Sequence, residues 1–151
     1  MTELDLRPTG PGDLEPLADL LSDPQAMARV NPAAKVPFDA AEWGEKWLGD
    51  PDDRAFYVVD GQDRIVGFFA LRIGIGPEVR HLVYVYVTPD MRGGAGEALA
   101  ALSEGAARRL GATAISLKVE LDNPKAHATY LSAGYEELGR SNGMATMRKE
   151  L

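Results

Sequence analysis

The 151-residue sequence contains no cysteine, which excludes disulfide bonds, thiolate metal sites and a cysteine nucleophile. Only two histidines are present, and neither belongs to a metal-binding motif such as His-Glu-x-x-His, so we expect no metal. No run of apolar residues approaches the roughly 18 to 20 that span a membrane, and the first residues lack the apolar stretch of a signal peptide. These absences predict a cytoplasmic protein without a membrane partner.

Positive charge is also scarce. The chain carries 16 lysines and arginines against 23 aspartates and glutamates, which gives a formal net charge of −7. Nucleic-acid binding needs a basic surface, so we expect no nucleic-acid partner, whereas an acidic protein suits a cationic or amine substrate. Glycine and proline are too few for a low-complexity chain, and the length predicts one domain covering residues 1–151.

Periodicity, cap residues and turn residues predict a mixed sheet with helices on its faces. In the first half, the predicted elements are a strand at 4–7 that ends at Pro8, a helix capped by Asp13, a loop at 23–37, a helix at 40–48 capped by Asp39, and strands at 55–59 and 65–73 joined by a turn at Asp60 and Gly61. In the second half, they are a strand at 81–87 with both faces covered, a helix that stops at Gly111, a strand at 113–119, a helix from Asn123 and Pro124 to Gly134, and a hairpin of 135–140 with 145–149 across Ser141-Asn142-Gly143.

A glycine-rich bend separates the strand at 81–87 from the following helix. It reads Arg92-Gly-Gly-Ala-Gly96. Glycine lets the backbone approach a ligand closely, and the first turn of a helix offers unpaired N–H groups and a partial positive charge. The bend therefore suits phosphate oxygens, with Arg92 adding a charge-assisted contact. The alternative is a tight turn that binds nothing, since the spacing matches neither the Rossmann nor the Walker pattern.

A second segment of interest follows the next strand. It reads Asn123-Pro-Lys-Ala-His-Ala-Thr-Tyr-Leu-Ser-Ala-Gly-Tyr135. Ala126 and Tyr130 lie one helical turn apart and share a face, so the small alanine leaves space beside the phenol. For a single tyrosine on an amphipathic helix, the alternative is an ordinary residue of the core.

Together the two segments resemble the GCN5-related N-acetyltransferase (GNAT) superfamily. The resemblance rests on the order strand, Val87-Thr-Pro-Asp-Met-Arg-Gly-Gly-Ala-Gly96, helix, strand, Asn-x-x-Ala-x-x-x-Tyr-x-x-x-Gly-Tyr, and it covers nearly the whole chain. It implies an α/β (α+β mixed sheet) fold with a mostly antiparallel central sheet, splayed parallel strands and helices on both faces. The family loop reads Gln/Arg-x-x-Gly-x-Gly/Ala. Alignment on Gly94 and Gly96 puts Met91 at the Gln/Arg position with Arg92 beside it, whereas alignment on Arg92 puts Ala95 and Glu97 at the two small positions, so the loop is one residue short for its arginine. We prefer the glycine alignment, because backbone amides make most of the phosphate contacts.

The resemblance implies an acetyl-CoA-dependent N-acyltransferase that moves an acetyl group directly to a primary amine. Acetyl-CoA is then the acyl donor, the acceptor is a small-molecule or peptide amine, and a homodimer is possible. The residues that the resemblance assigns to CoA are the backbone of Val85 and Val87 for the pantetheine arm, the amides of Arg92, Gly93, Gly94, Ala95, Gly96, Glu97 and Ala98 for the diphosphate, and Asn123, Ala126 and Tyr130.

Direct transfer needs a neutral amine, a polarised thioester carbonyl and a proton for the leaving thiolate. A backbone N–H of the central strand, that of Val85, is expected to stabilise the oxyanion. Tyr130 matches the tyrosine to which the family gives the role of acid, since a phenol with a pKa of about 10 can protonate a departing sulfur. The alternative for Tyr130 is a packing residue that borders the CoA.

The catalytic base is open between three candidates. His81 stands near the start of the central strand, where some members of the family place a Glu or His, and a histidine accepts protons near neutral pH. Strict alternation puts His81 on the same face as Val83, Val85 and Val87, unless a bulge breaks the parity. Glu78, in the preceding loop, and a water chain are the competitors, and His81 can also be a purely structural residue.

Three further side chains lie in segments that the family uses for the acceptor or the site. Trp43 and Trp47 fall where the family forms its acceptor wall, although aromatic pairs at helical spacing are more often core. His127 lies one turn from Tyr130 and can reach the site, or it faces solvent. Two alternatives to an enzyme remain at this point: a non-catalytic acyl-CoA-binding module on the same fold, and a structural domain that binds no nucleotide.

Overall fold

The computed structural model describes residues 4–74, 76–91 and 95–151. The strands within these residues are β1 (Asp5–Thr9), β2 (Arg54–Val59), β3 (Ile65–Gly74), β4 (Gly76–Val87), β5 (Ala114–Glu120), β6 (Glu136–Ser141) and β7 (Met144–Glu150). The α-helices are α1 (Glu15–Leu20), α2 (Pro24–Val30), α3 (Ala40–Glu42), α4 (Gly96–Arg109) and α5 (Pro124–Ser132). A π-helix at Trp43–Trp47 continues α3, and a 3₁₀ turn at Pro89–Met91 follows β4.

The strands form one mixed sheet in the order β1-β2-β3-β4-β5-β7-β6. β1 pairs antiparallel with β2, and β7 pairs antiparallel with both β5 and β6. β4 and β5 are parallel, with His81 opposite Ser116. A parallel pair needs a crossover, which α4 supplies between these two strands. The prediction of a mixed α/β fold is therefore confirmed.

The chain divides into two compact units. The first comprises the described residues up to Ala70 together with Tyr84–Met91, and the second comprises Leu71–Val83 and the described residues after Met91. In the first unit, Tyr57 of β2 is fully buried, and its hydroxyl donates a 2.5 Å hydrogen bond to the carbonyl oxygen of Asp13 while it accepts one from the Leu17 N–H. This phenol fixes the start of α1 on the sheet.

Several predictions for the first unit are wrong, each for a local reason. The segment 23–37 is not all loop, because Asp23 accepts a hydrogen bond from the Gln25 N–H and starts α2, with Pro24 at the first helical position. Asp13 does not cap α1: the N-cap is Leu14, which has no side-chain cap. β1 does not end at Pro8 but includes it, which an edge strand tolerates.

The helix predicted at 40–48 forms, but it changes type within its length. Asp39 caps it as predicted, accepting from the N–H groups of Ala41 and Glu42. From Trp43 onward the turn widens into a π-helix, and the Leu48 N–H donates to the Trp43 carbonyl oxygen. Short π segments are uncommon and often occur at functional sites. Trp43 is 0% exposed, so it is a residue of the core.

The strand β4 differs from its prediction in three ways. It begins at Gly76 rather than at residue 81, so Glu78 lies in the strand and not in a preceding loop. The strand is not buried on both faces along its whole length, because Leu82 and Tyr84 are buried whereas residues 85–87 are only half-buried. Within the strand, Tyr84 adopts a φ of +57°, a conformation that a bulky side chain rarely takes. Strict alternation therefore does not continue from Val83 to Val85.

An aromatic cluster surrounds this unusual residue in the first unit. The Tyr84 ring meets Trp43 at 5.2 Å and Trp47 at 6.4 Å, both at 71°, and Phe38 stacks on Trp43 at 5.6 Å. Edge-to-face aromatic pairs add to the stabilisation that burial gives. The cluster therefore holds Tyr84 in a backbone conformation that costs about 1–3 kcal/mol.

Turn and cap residues of the second unit behave as predicted. Gly111 ends α4 and Gly134 follows α5, with φ values of +86° and +99°. Asn142 and Gly143, with φ values of +54° and +77°, make the turn of the β6–β7 hairpin. None of the helices in the described part of the chain has the length and the apolar character needed to cross a membrane.

We expect Trp43→Ala to lower the free energy of unfolding by about 3–5 kcal/mol, because it removes a fully buried indole and leaves a cavity beside Tyr84. Urea denaturation followed by circular dichroism measures this change. Val36→Ala is the control, since Val36 is 57% exposed in the same unit and its truncation should shift stability by no more than about 0.5 kcal/mol. Equal effects of the two substitutions would contradict the assignment of Trp43 to the core.

Candidate functional site

The N-terminal turn of α4 is open on its solvent side. Its N-cap residue, Ala95, provides no side-chain hydrogen bond, and Gly96, Glu97 and Ala98 are exposed. The N-cap side chain thus leaves the first N–H groups of this 14-residue helix uncapped, at the positive end of the helix dipole. This turn can hold an anion such as a diphosphate. Arg92, Gly93 and Gly94, which belong to the same predicted site, lie outside the described residues.

Gly96 also sets how closely α4 approaches α5. A Cβ atom built on Gly96 would lie 3.3 Å from Cγ2 of Thr129, tighter than most real contacts of this kind. The missing side chain therefore allows the first turn of α4 to lie directly against the middle of α5. Since Thr129 precedes Tyr130, this contact brings the possible anion seat and the predicted acid onto neighbouring parts of two packed helices.

The residues predicted on α5 have the local roles that the sequence indicates. Asn123 is the N-cap, and its side-chain oxygen accepts a 3.3 Å hydrogen bond from the Ala126 N–H. A contact of Asn123 with a cofactor would therefore use its NH2 group. Ala126 and Tyr130 are half-buried, one turn apart. Burial raises the pKa of Tyr130, so its hydroxyl stays protonated at neutral pH and can act as a donor.

The Tyr130 ring rests on a second tyrosine. Tyr135 is 3% exposed, and the two rings meet edge to face with centroids 5.4 Å apart. The Tyr135 N–H donates to the Tyr130 carbonyl oxygen at 3.1 Å, which joins backbone and ring contacts in one turn. Burial, followed by the charge of Glu104, raises the pKa of Tyr135 above its ordinary value. Tyr135 is thus a neutral support for Tyr130.

His81 lies on β4 in the part of the strand that belongs to the second unit. Its Nδ1 atom lies 2.9 Å from the Ser116 hydroxyl oxygen, its partner across the parallel pair. Burial is the main cause that lowers the pKa of His81, and the positive charges of Lys118 and Arg72 add to it. The imidazole is therefore neutral at physiological pH and retains one nitrogen beyond the contact with Ser116.

Val85 and Val87 belong to the first unit and are half-buried there. In that unit, a Cβ atom on Gly67 of β3 would lie 2.7 Å from the Tyr86 carbonyl oxygen and 3.2 Å from Cγ1 of Val87. Gly67 therefore permits a close approach of β3 to the end of β4. The predicted contacts of the Val85 and Val87 backbone with the pantetheine arm are not tested by these distances and stay predictions.

The two remaining candidates for proton transfer, His127 and Glu78, lie in other surroundings. Nε2 of His127 lies 2.8 Å from the Glu137 carboxylate of β6, which also accepts from Arg140 at 2.9 Å. Arg140 and His127 together lower the pKa of Glu137. His127 thus links α5 to the hairpin. The Glu78 side chain is exposed, and its carbonyl oxygen accepts from the Thr113 N–H.

The sequence alone assigns no role to four residues that support the predicted site residues, namely Tyr84, Glu104, Tyr135 and Lys149. Tyr135 ends the quoted segment Asn123–Tyr135 and Lys149 ends the predicted strand 145–149, but no local pattern shows that Lys149 forms an ion pair with Glu104. Within the ranges given above, no three side chains of His, Cys, Asp or Glu are grouped in a way that could hold a metal ion.

Comparison with known proteins adds independent findings. A model of the Acetyltransferase (GNAT) family matches residues 17–135. An uncharacterized N-acetyltransferase of Methanocaldococcus jannaschii is 31% identical over 117 residues, which cover 74% of this chain. The chain spans about half (52%) of the length of that relative.

Solved structures show the same architecture. A spermidine N-acetyltransferase from Vibrio cholerae, in complex with CoA and spermine, is 24% identical and superimposes with a TM-score of 0.77, covering 97% of this chain and 95% of that one. A domain from Methanocaldococcus jannaschii is 14% identical and gives a TM-score of 0.80 over the full length of both chains. At these identities the likeness concerns the fold.

We expect the imidazole of His81 to titrate below the 6.5 of an unperturbed histidine, and Lys118→Met to raise that midpoint by removing a positive charge. NMR titration of the ring protons measures both values. Lys125→Met, which removes a lysine not among the causes of the shift, is the control. Because the folded state binds the proton more weakly than the unfolded state, stability should fall as the pH drops below 6.5. A midpoint above 6.5 in the wild type would contradict the assignment.

Proposed function

The chain belongs to the GNAT acetyltransferase family, and from this premise we propose that it is an N-acetyltransferase that moves an acetyl group from acetyl-CoA directly to a primary amine. The observation that carries the proposal is the open first turn of α4 packed, through Gly96, against the helix that bears Tyr130. An anion-binding turn and a protonated phenol then lie on two packed helices. This arrangement suits a phosphorylated acyl donor, because its diphosphate needs an anion-binding site and its departing thiolate needs a proton.

The N–H groups of Ala95, Gly96, Glu97 and Ala98 bind the diphosphate of the donor, helped by Arg92, Gly93 and Gly94. The exposed surface of this turn and its lack of a side-chain cap support this assignment. The NH2 group of Asn123 and the small side chain of Ala126 border the donor on α5. Backbone groups of Val85 and Val87 hold its pantetheine arm.

Acetyl-CoA supplies the acetyl group as a thioester. The amine nitrogen forms a bond to the carbonyl carbon as the C–S bond breaks, and the departing sulfur takes the Tyr130 hydroxyl proton. The raised pKa of Tyr130 supports this role, because the phenol is fully protonated at neutral pH. The Val85 N–H donates to the carbonyl oxygen as negative charge develops on it.

His81 accepts the proton that the amine loses. Its lowered pKa keeps the imidazole in the neutral form that a base requires, and its contact with Ser116 fixes the ring. Glu78 is the weaker candidate, since its side chain is exposed. A pH–rate profile that His81→Ala leaves intact assigns the base elsewhere.

The acceptor in this proposal is a small-molecule or peptide amine. A net charge of −7 favours a cationic acceptor, and the structural neighbour from Vibrio cholerae is a spermidine N-acetyltransferase in complex with CoA and spermine. A single domain of 151 residues, a cytoplasmic location and a homodimer complete the proposal as predictions.

Incubation with acetyl-CoA and a panel of amines tests the function directly. We expect release of free CoA that depends on a primary amine, with formation of the acetylated amine seen by mass spectrometry. In parallel, CoA should raise the melting temperature, since a ligand that binds the native state at 100 times its Kd adds about 2.7 kcal/mol. Stabilisation by CoA without acetyl transfer would support a non-catalytic binding module. The absence of both stabilisation and transfer would contradict CoA binding altogether.

Tyr130→Phe should lower kcat by about 100-fold or more, because it removes the proton donor, while the Kd for acetyl-CoA changes little. Steady-state kinetics and calorimetric titration give the two values, and retained binding of acetyl-CoA shows that the variant is folded. An unchanged kcat would remove Tyr130 from the chemistry.

A further inference from the structure

An ion pair between a buried carboxylate and a half-buried ammonium joins three elements of the second unit at the C-terminal end of α5. Glu104 of α4 is 7% exposed and pairs with Lys149 of β7. The Lys149 ammonium also donates a 2.6 Å hydrogen bond to the carbonyl oxygen of Ala133. Ala133 is the C-cap of α5, where the carbonyls lack helical partners and the helix dipole is negative. One ammonium therefore holds a carboxylate of α4 and the last turn of α5.

The lysine side chain fits along this turn because of the residue that follows α5. Gly134 has a φ of +99°, which a glycine adopts without strain. The position of a Cβ on Gly134 lies 3.4 Å from Cε and 3.6 Å from Nζ of Lys149, so the lysine stem packs directly on the turn. The ammonium is thus held by its stem as well as by its two polar partners.

The turn that Lys149 holds is also the turn that supports Tyr130. Tyr130 lies three residues before Ala133, its carbonyl oxygen accepts from the Tyr135 N–H, and its ring rests on the Tyr135 ring. A shift of this turn would move the Tyr130 hydroxyl. Glu104 lies close enough to Tyr135 for its charge to act on that phenol.

α4 and α5 are therefore fixed to each other at two places. Near the start of α4, Gly96 meets Thr129, and eight residues later Glu104 reaches Ala133 through Lys149. Eight residues of helix span about 12 Å. A single contact would leave the helices free to pivot, whereas two contacts this far apart fix their relative orientation.

We propose that Lys149, held by Glu104, is a positioning residue for acetyl transfer, which fixes the Tyr130 hydroxyl relative to the first turn of α4. This inference rests on the proposed function, since that function gives Tyr130 and this turn their roles. Buried ion pairs add little net stability compared with apolar side chains of similar size. Stability of the fold alone therefore does not account for a pair at this position.

The test is Lys149→Met, made in the wild type and in Tyr130→Phe. In the wild type we expect kcat to fall by about 10-fold or more, with little change in KM for acetyl-CoA, because a small displacement of a reacting group is costly. In Tyr130→Phe the same substitution should have almost no further effect, because the hydroxyl that Lys149 positions is absent. Equal losses of kcat in both backgrounds, or no loss in the wild type, would overturn the proposal.

The matched control is Arg148→Met. Arg148 is the neighbouring cation of β7, and its guanidinium pairs with the exposed Glu150 at 2.9 Å. Its loss should leave kcat unchanged. Lys149→Arg keeps the charge and the donors and should restore most of the rate. If Lys149→Met does not fold, Glu104→Gln replaces it, because it removes the charge that holds Lys149 and keeps a polar side chain of the same size.

Hydrogen exchange separates this proposal from the proposed function. If the wild type acetylates no amine, the function fails, but the placement of Lys149 is still open to measurement. Lys149→Met should then speed exchange of the amides of Ala133, Gly134 and Tyr135 relative to the wild type and Arg148→Met. Unchanged protection of these amides would show that Lys149 does not hold the turn, and would overturn the proposal whatever the activity.

Discussion

The contact between Gly96 and Thr129 is the constraint on which the candidate site depends. With only 3.3 Å between the place of a Cβ on Gly96 and the Thr129 methyl group, a side chain there would require Thr129 to shift by a few tenths of an ångström. In α4, Gly96 belongs to the uncapped first turn. In α5, Tyr130 directly follows Thr129. Glycine in the bend therefore serves helix packing as much as access for a ligand.

Features set by a residue's own backbone and side chain could be predicted from the sequence. Asn123 and Pro124 start α5, Gly134 ends it, and Asn142 with Gly143 closes a hairpin, because each residue supplies the cap or the positive φ that its position needs. The first turn of α4 begins at Gly96, next to the glycine-rich bend, while the binding of an anion there stays a prediction. The three prolines of the segment 23–37 favour a loop, but Pro24 occupies the first position of α2, where Asp23 caps the helix.

Features set by distant partners could not be predicted. Nothing in the residue type of Tyr84 favours a φ of +57°; the rings of Trp43 and Trp47, some 40 residues away in sequence, hold it there. The π-helical turn that carries both tryptophans belongs to the same arrangement. The pair of Glu104 with Lys149 likewise joins residues 45 positions apart, so no helical or strand periodicity reveals it.

One physical effect, the loss of water around a side chain, shifts the pKa values of Tyr130 and His81 in opposite directions. In both cases it favours the neutral form of the group. Burial disfavours the charged form of each group, so it raises the pKa of the phenol and lowers that of the imidazole. At neutral pH the phenol keeps its proton and the imidazole lacks its second one. Acetyl transfer takes a proton from an amine and gives one to a sulfur, and it needs a group in each of these two states before it begins. In the proposed mechanism, burial is therefore the main cause that prepares both partners, and at His81 the positive charges of Lys118 and Arg72 act in the same direction.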